Sequence, residues 1–390
     1  MKILIIAYLF PPTNSIGALR PFSLAKYLAL AGHDVTVLSA NNMKNNLTNN
    51  LIIPSNIKII LVPHNDFITT IKFWLKLLLG KTKYPAPGIT DFWWIKAYQR
   101  IKNENYDTII STYSPYVNHL IAYLAKRSGI TRKWVADYRD LWSNSHLNNN
   151  RYNMVTTYLE LRFNKSADII STVSPPLANH LKQKHPNKVI CLENGYDPDD
   201  FLNIPKKQYW DNGKINISFT GTFYPDHNDL KPLFSAIKNL NAFKDAFTFN
   251  FFGTNTDQIN QIAKQYSISD IVYTFSTVDR PTSLQIQRDS HALIFLEYLN
   301  HAGITTGKIY EYMYSNTIIL GINSSNETVS GELIKNSNTG INFNNNIEQI
   351  YEFLKYLGKN KNKLHNRPNP LFIAKFDYKN ITKRLIDIIK

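Results

Sequence analysis

The sequence predicts an α/β protein that contains two doubly wound parallel sheets. Short apolar runs alternate along the chain with longer stretches of helical periodicity, which is the pattern of repeated βαβ units. A polar stretch at 197–214 interrupts this alternation, and a second series of apolar runs follows it. The chain has 390 residues, which is enough to bury two separate cores. We therefore expect two α/β halves joined by a linker at 197–214.

The first half begins with a continuous apolar run at 3–8, as expected for a strand that is buried on both faces of a parallel sheet. Residues 17–30 carry apolar side chains on one broad helical face, and Gly32 follows that helix. Further short apolar runs predict strands at 34–39, 107–111, 134–136, 168–173 and 189–192. Helical stretches lie between these strands, so right-handed crossovers would join them into one parallel sheet.

The second half repeats this pattern after the polar stretch. Its apolar runs predict strands at 215–220, 248–252, 271–275, 292–296 and 317–320. The chain ends on an amphipathic pattern at 376–390, which predicts a helix. We expect a first domain over 1–205 and a second over 206–369, with a C-terminal helix at about 370–390 that can pack back on the first.

Composition and charge exclude several classes of protein. Hydrophobic residues make up 43% of the chain and charged residues 19%, which excludes a disordered protein. The single cysteine, Cys191, excludes an intramolecular disulfide and a cysteine-based zinc cluster, and it suits a reducing cytosol. No apolar run approaches the length of a membrane-spanning helix. The net charge of +15 favours a nucleic acid, an anionic lipid or a phosphorylated substrate, although it also suits plain solubility.

Several segments, taken in order, resemble glycosyltransferase family 4. They are the opening strand, the loop that holds Gly17, and the segments 24–40, 134–143, 167–181, 192–201, 217–224 and 306–320. The resemblance implies the GT-B architecture, in which two Rossmann-like domains face a central cleft. It also implies that a sugar moves from a nucleotide-diphosphate sugar to a glycan or lipid-linked acceptor, with retention of configuration and without a metal or other cofactor. We expect a hexosyltransferase of bacterial capsule or lipopolysaccharide synthesis.

The segment at 305–312 carries the strongest candidate for donor binding. It follows an apolar strand and opens an apolar helix, whose free backbone N–H groups suit a diphosphate. Thr306 and Gly307 stand at this turn, and the glycine would let the backbone approach the ligand. Lys308 adds a positive charge, and Glu311 follows about one turn along the same helical face. In the resembled family the glutamate that matches Glu311 binds the nucleotide ribose, whereas the alternative is a plain surface Lys–Glu pair.

The chain departs from the family pattern at one position in this region. The family has a pair of glutamates, of which Glu311 matches the second, but Gly303 stands where the first is expected. That first carboxylate would hold hydroxyls of the donor sugar. Glu297, just past the strand at 292–296, is the nearest substitute.

Charged residues also follow the strand predicted at 134–136, where the carboxyl end of a parallel strand would place them beside a ligand. Arg139 could clamp a phosphate, and Asp137 or Asp140 could orient or deprotonate an acceptor hydroxyl. We expect Asp137 and Arg139 to be catalytic together with Lys308, and Asp140 to lie on the acceptor side. The alternative is a structural Arg–Asp pair that holds the loop.

Two further loops resemble the donor loops of the family. Gly17 would allow close approach of the donor after the first strand, and Arg20 near the following helix start is expected on the acceptor side. This loop lacks a G-x-G-x-x-G pattern, so a dinucleotide fingerprint is absent. Gly221 and Thr222 follow the first strand of the second half and resemble the loop that touches the donor phosphate. Arg280 could assist Lys308 in neutralising the phosphates, or it could be a solvated loop residue.

Aromatic and basic side chains are mixed along 67–100, and Trp94 is one of them. This composition suits the headgroup layer of an anionic membrane or a lipid-linked acceptor, although a partly buried helix pair would look similar. We see no nucleic-acid motif, so nucleic acid is not an expected partner. The predicted location is cytoplasmic, with peripheral binding to the inner face of the cell membrane.

Two other functions are compatible with these residues. One is an epimerase-like enzyme that acts on a nucleotide sugar and shares the fold. The other is a non-catalytic partner in a polysaccharide assembly complex, which the substitution at Gly303 makes conceivable.

Overall fold

The computed structural model describes residues 1–13, 15–41, 51–63, 93–142, 153–299, 305–360 and 366–390. These residues form two compact units. The first unit comprises Met1–Glu193 together with Ile381–Lys390, and the second comprises Asn194–Asn380. The chain thus leaves the first unit before the predicted boundary at 205 and returns to it after 380 rather than 369.

A parallel sheet of seven strands, counted over the described residues, forms the centre of the first unit. The strands are β1 (Lys2–Ile6), β2 (Asp34–Asn41), β3 (Ile57–Pro63), β4 (Tyr106–Tyr113), β5 (Thr131–Tyr138), β6 (Ile169–Thr172) and β7 (Val189–Cys191). Their order across the sheet is β3-β2-β1-β4-β5-β6-β7. In this register Ile5 of β1 pairs with Val37 on one side and with Ile110 on the other.

Helices cover both faces of this sheet because its strands are apolar on both sides. The helices of the first unit are α1 (Ile16–Leu30), α2 (Trp93–Ile101), α3 (Val117–Arg127), α4 (Asn153–Ser166) and α5 (Pro175–Lys182). Ile3 and Ile5 of β1 join one core cluster with α1, whereas Leu4 and Ile6 join another with α2, α3 and α4. This alternation is the period-two pattern of a strand whose two faces are both buried.

The second unit is built around a parallel sheet of six strands within the described part of the chain. They are β8 (Ile215–Thr222), β9 (Phe247–Thr254), β10 (Val272–Phe275), β11 (Ala292–Leu296), β12 (Ile318–Ile322) and β13 (Gly340–Asn342). Their order is β10-β9-β8-β11-β12-β13, so the second unit is doubly wound like the first. The predicted fold class of two Rossmann-like parallel sheets is therefore confirmed.

Among the residues that the structure describes, five helices of the second unit lie between these strands in the chain, one precedes β8 and two follow β13. They are α6 (Pro198–Leu202), α7 (Lys231–Lys238), α8 (Thr256–Gln265), α9 (Arg280–Asp289), α10 (Lys308–Tyr314), α11 (Val329–Ser337), α12 (Ile347–Lys359) and α13 (Pro370–Ile373). Short 3-10 turns occur at Asn241–Ala246 and Ala374–Phe376. The last helix, α14 (Tyr378–Ile389), returns to the first unit, where Leu385 and Ile389 join the core cluster of α1. None of the described helices is both long and apolar enough to cross a membrane.

The stretch interpreted as a linker at 197–214 is in part folded into the second unit. Asp197 accepts a hydrogen bond from the backbone N–H of Asp199 at 3.1 Å and so caps α6. The neighbouring Tyr196 donates its N–H to the Phe376 carbonyl at 3.0 Å and accepts from Tyr378 N–H at 3.1 Å. These bonds explain why the boundary lies before the polar stretch: a polar composition here marks a capped helix start rather than a free connection.

Candidate functional site

In the second unit β8 and β11 are neighbours, and the strand order reverses between them. At such a switch point the loops after the two strands run in opposite directions and leave a crevice at the carboxyl edge, where ligands of doubly wound sheets bind. β8 ends at Thr222 and β11 ends at Leu296. The predicted donor residues Gly221 and Thr222 therefore lie at this edge, and Thr222 is half-buried.

Lys308 reaches the end of β8 from the first position of α10. Its Nζ lies so close to Gly221 that a Cβ added to that glycine would stand 2.5 Å away. Gly221 also has a φ of +129°, which L side chains rarely adopt. The same ammonium lies 3.8 Å from the centre of the Phe219 ring. The structure thus brings the glycine of one predicted motif and the lysine of another, far apart in the chain, into direct contact.

The Lys308 ammonium forms no ion pair or hydrogen bond with any residue that the structure describes. Burial lowers the pKa of this group to about 7, against the opposing effect of the Glu311 charge. The hydroxyls of Thr305 and Thr306, just before α10, are buried and also have no hydrogen-bond partner in the described chain. A cation and two hydroxyl donors without internal partners are suited to bind the oxygens of a phosphate group.

Gly307 precedes Lys308 with helical dihedral angles, φ −56° and ψ −24°. A Cβ at this position would meet nothing within 4 Å. Its backbone conformation therefore does not require glycine, and the residue leaves open space beside the start of α10. This space is compatible with the predicted close approach of a ligand.

Glu311 does not pair with Lys308, so the surface Lys–Glu pair considered above does not form. Its Oε1 accepts a hydrogen bond from Arg280 Nη1 at 2.7 Å, and its Oε2 accepts a weak one from Gln287 Nε2 at 3.4 Å. Arg280 also donates from Nε and Nη2 to Asp200 Oδ2, at 2.9 and 2.6 Å. Arg280 is therefore committed to two carboxylates, which corrects the expectation that it helps Lys308 neutralise the phosphates or is solvated.

Glu297 lies at the end of β11 but is not placed to replace the missing family carboxylate. Its side chain accepts hydrogen bonds from Thr328 Oγ1 at 3.0 Å, Ser330 Oγ at 3.2 Å and Ser324 Oγ at 3.4 Å. Both carboxylate oxygens thus accept hydrogen bonds from hydroxyls at or just before the start of α11, and the residue is only 6% exposed. Gly303, where the family carboxylate is expected, lies outside the described residues.

In the first unit, Asp137 and Arg20 form a buried ion pair. Arg20 Nε and Nη2 donate to the two oxygens of Asp137 at 2.9 and 2.8 Å, and Ser171 Oγ donates to Oδ1 at 2.7 Å. Arg20 also donates to the carbonyls of Leu192 and Glu193 at 2.9 and 2.8 Å. The two side chains are 3% and 2% exposed.

This pair corrects two predictions. Asp137 was expected to act on an acceptor hydroxyl, but both of its oxygens are bound internally and little surface remains for a substrate. Arg20 was expected on the acceptor side, yet its guanidinium faces the ends of β5, β6 and β7. A structural Arg–Asp pair does form here, but with Arg20 from α1 rather than with the adjacent Arg139.

Arg139 binds the backbone at the start of α1 and at the end of β4, beside the switch point between β1 and β4 in the first unit. It donates from Nε to the Tyr113 carbonyl at 2.8 Å, from Nη1 to the Gly17 carbonyl at 3.0 Å and from Nη2 to the Ser114 carbonyl at 3.3 Å. A Cβ on Gly17 would stand 3.1 Å from Arg139 Nη1, so a glycine suits this approach. Arg139 thus holds these two segments together, which is a positioning role.

The remaining predicted acceptor-side residues are less closely tied to a site. Asp140 is half-buried beside Arg139 at the end of β5. Trp94 is half-buried in α2 and packs against the core cluster of α2, α3 and α4. This position agrees with the alternative interpretation of this stretch as a partly buried helix. Most of the aromatic and basic stretch at 67–100 lies outside the described residues.

Sequence reasoning missed three side chains of the second-unit site. Asp200 and Gln287 contact Arg280 and Glu311 respectively, and Tyr312 accepts a hydrogen bond from Thr220 N–H at 3.0 Å. The last bond ties α10 to the end of β8. Tyr312 had a sequence signal because it is adjacent to Glu311 in the same motif, and Asp200 had one because it lies in the family-like segment 192–201, where the sequence was interpreted as a turn.

Comparison with known proteins identifies a family over part of the chain. Residues 22–200 match the family described as Glycosyltransferase Family 4. This range includes Asp137, Arg139 and Asp140, and most of it lies in the first unit. No curated protein matches the sequence.

Solved structures resemble the chain over its full length. Sucrose-phosphate synthase from Thermosynechococcus elongatus has a TM-score of 0.66 at 14% identity, covering 100% of this chain and 98% of that one. HepE from Anabaena, in complex with UDP and glucose, has a TM-score of 0.65 at 12% identity, with 100% and 99% covered. WaaG, a glycosyltransferase involved in lipopolysaccharide biosynthesis, has a TM-score of 0.63 at 13% identity, again with 100% and 99% covered. At these identities the likeness establishes the fold, which is the GT-B fold.

Proposed function

We propose that this chain, a GT-B glycosyltransferase whose residues 22–200 match family 4, transfers a hexose from a nucleotide-diphosphate sugar. The acceptor is a glycan or a lipid-linked molecule. The transfer retains the anomeric configuration and needs no metal. The proposed setting is the synthesis of a bacterial surface polysaccharide, capsule or lipopolysaccharide, in the cytoplasm. Two likenesses support these assignments: HepE is known with UDP and glucose, and WaaG acts in lipopolysaccharide biosynthesis.

The observation that carries this proposal is the position of Lys308 at the switch point between β8 and β11. Its ammonium has no anionic partner in the described chain and lies against Gly221. The hydroxyls of Thr305 and Thr306, three and two residues earlier in the chain, have no hydrogen-bond partner there either. Glu311 lies on the next turn of α10, where its carboxylate can accept hydrogen bonds from ribose hydroxyls. A phosphate group at Lys308 and a ribose at Glu311 are two of the three parts of a nucleoside diphosphate, the third being the base.

These residues are suited to the departure of the diphosphate. When the bond between the anomeric carbon and the phosphate oxygen breaks, negative charge grows on that oxygen, and a fixed cation at Lys308 stabilises it. Thr305 and Thr306 can donate hydrogen bonds to the same phosphate, while Gly307 leaves room for it. The acceptor hydroxyl oxygen forms the new bond to the anomeric carbon, and its proton passes to the departing phosphate oxygen.

Nucleoside diphosphate release tests this function. We expect the purified protein, incubated in EDTA with a panel of nucleotide-diphosphate sugars and membrane extract, to release nucleoside diphosphate from one of them. The product linkage, read by NMR, should have the anomeric configuration of the donor. Release that depends on added metal would contradict the metal-free proposal. A sugar epimer formed from donor alone would favour the epimerase-like enzyme, and no binding or release with any donor would favour the non-catalytic partner.

We also propose that the first unit binds an anionic membrane through the outer face of α4. Three apolar side chains on one stripe of this helix are exposed: Met154 by 89%, Tyr158 by 59% and Leu161 by 38%. Arg162 and Lys165 continue the same stripe and are exposed. Exposed apolar residues beside basic ones are the pattern of a helix that lies in the headgroup layer.

Basic residues outnumber acidic ones around this face, although Lys126 of α3 is paired with Asp168 at 2.7 Å. α3 packs between α2 and α4, and the three helices together contain six basic residues and one acidic residue, the buried Glu160. Arg162 Nε and Arg127 Nη1 both donate to the Tyr123 hydroxyl, at 2.9 and 3.5 Å. Neither arginine forms an ion pair within the described residues. Two such guanidinium groups meeting at one phenol suit the phosphates of anionic lipids.

Vesicle binding tests this surface. Each basic residue near an anionic membrane contributes about 1 kcal/mol, so the double variant Arg127→Gln with Arg162→Gln should bind phosphatidylglycerol vesicles about tenfold to thirtyfold more weakly. A matched control, Lys182→Gln with Lys184→Gln, removes the same charge from exposed positions at the end of α5 and should change binding much less. Equal losses in both pairs, in vesicle sedimentation, would contradict a specific surface at α4.

A further inference from the structure

We infer that Arg280, held by Asp200, positions the Glu311 carboxylate for the ribose hydroxyls of the nucleotide. This inference rests on the proposed function, because it assigns to Glu311 the ribose of a nucleoside diphosphate. Neither arginine nor aspartate would touch the ligand. Their role is to fix the orientation and the charge of the carboxylate that does.

Arg280 is placed by the start of α9, where it is the first helical residue. Asp279 caps this helix by accepting a hydrogen bond from Thr282 N–H at 3.0 Å, so the backbone at Arg280 is fixed. From there the guanidinium spans α6 and α10. Its Nε and Nη2 bind Asp200 at 2.9 and 2.6 Å, which leaves the Nη1 edge directed at Glu311 Oε1 at 2.7 Å.

The other groups around Glu311 leave it little freedom. Gln287, about two turns further along the same face of α9, donates to Oε2 at 3.4 Å. The next residue after Glu311, Tyr312, is fully buried and is bonded to Thr220 at the end of β8. Two of the roughly four lone-pair sites of the Glu311 carboxylate are therefore occupied by α9, and the others remain able to accept from a diol.

Charge explains why an arginine is needed between these carboxylates. The side chains of Arg280, Asp200 and Glu311 are 19%, 17% and 15% exposed, so water screens them weakly. Burial raises the pKa of Asp200, and Arg280 opposes that rise. Burial would lower the pKa of Arg280, but the charges of Glu311 and Asp200 raise it. Without Arg280 no cation would separate the like charges of Asp200 and Glu311, and their repulsion would disturb the orientation of the Glu311 carboxylate.

Discrimination between ribose and its dideoxy analogue tests the inference. By calorimetric titration with UDP, GDP and ADP and their 2′,3′-dideoxy forms, we expect the parent protein to prefer one ribonucleotide over its dideoxy form by about tenfold or more, as for hydrogen bonds to a charged group. Arg280→Gln should bring this ratio close to one, as Glu311→Ala should. Arg280→Lys keeps the charge but not the forked geometry, so its ratio should be intermediate. Asp200→Asn should also lower the ratio.

Arg288→Gln is the matched control, because Arg288 lies on the same helix and pairs with Asp289 at 2.6 Å without contacting Glu311. It should keep the parental ratio. A folded Arg280→Gln protein with an unchanged ratio would overturn the inference, and so would an equal loss of affinity for both forms, which marks a merely structural role. If Arg280→Gln fails to fold, the milder Asp200→Asn and Arg280→Lys variants test the inference by the same ratio of ribonucleotide to dideoxynucleotide affinity. A parent protein that binds none of the nucleotides would instead contradict the proposed function itself, and with it the inference.

Discussion

Replacing Lys308 by methionine should lower the turnover number by about 10²-fold to 10³-fold, the usual effect of removing one group that stabilises charge on a leaving oxygen. Methionine keeps the apolar stem against Phe219 and removes only the ammonium. The affinity for donor should fall less than turnover, because the charge on the diphosphate grows as the bond breaks. Steady-state kinetics with the selected donor measures both quantities.

The pKa of Lys308 adds a second readout to this variant. Since burial lowers that pKa to about 7, the free protein loses the ammonium proton as the pH rises through neutrality. A bound diphosphate favours the charged lysine, so binding should take up a proton near pH 7 to 8 and weaken as the pH rises further. Calorimetry in buffers of different ionisation enthalpy should detect this uptake in the parent and not in Lys308→Met.

The lowered pKa of Lys308 also makes the stability of the second unit depend on pH. The folded pKa lies below that of an unfolded lysine, so the unfolded chain binds more protons between about pH 7 and pH 10. The unliganded second unit should therefore gain stability across that range, and Lys308→Met should lack this gain. Lys231→Met is the matched control, because Lys231 also begins a helix of the second unit but is exposed.

Equal turnover in parent and Lys308→Met would contradict the role of Lys308 in leaving-group departure.

Replacing Asp137 by asparagine should destabilise the first unit by about 3 to 5 kcal/mol, because it leaves the buried Arg20 charge without a counter-charge. Burial by itself would raise the pKa of Asp137, but the Arg20 charge and the hydrogen bonds from Arg20 and Ser171 hold this pKa below its usual value. The contribution of the ion pair is therefore present at neutral pH and is lost only in acid. Thermal unfolding, which for a unit of this size shifts by a few degrees per kcal/mol, should show a drop of about 10 °C or more.

Glu104→Gln is the control for this prediction. It breaks the Lys2–Glu104 pair in the same unit, where both side chains are 39% exposed, and exposed pairs contribute little. A double variant, Arg20→Met with Asp137→Leu, should recover much of the lost stability, because replacing both charges leaves neither unpaired. An Asp137→Asn protein with the parental unfolding temperature but no transferase activity would restore the catalytic role that the sequence suggested.

The sequence predicted most of the architecture because buried parallel strands appear in it as continuous apolar runs. The run at 292–296 became β11 with the same bounds, and the run at 3–8 became β1 at Lys2–Ile6. The strand β3 (Ile57–Pro63), at one edge of its sheet, was missed although its sequence contains a continuous apolar run at 59–62. β13 (Gly340–Asn342) was missed because three residues beginning with glycine carry no periodic signal.

The candidate site was predictable only where its residues are adjacent in the chain. Thr306, Gly307, Lys308 and Glu311 were recognised together because one turn of helix places them side by side. Gly221 was recognised separately, from its place after a strand, and no local pattern indicated that it contacts Lys308.

By itself the sequence determined the two doubly wound sheets and the short motifs at their strand ends, because both depend on local periodicity and on the residues of a single turn. Only the tertiary structure decided which charges meet. It paired Asp137 with Arg20 across 117 residues rather than with its neighbour Arg139, and it set Arg280 between Asp200 and Glu311. The physical reason is that a charge taken out of water must find a partner in space, and strand order, not spacing along the chain, determines which partner lies within reach.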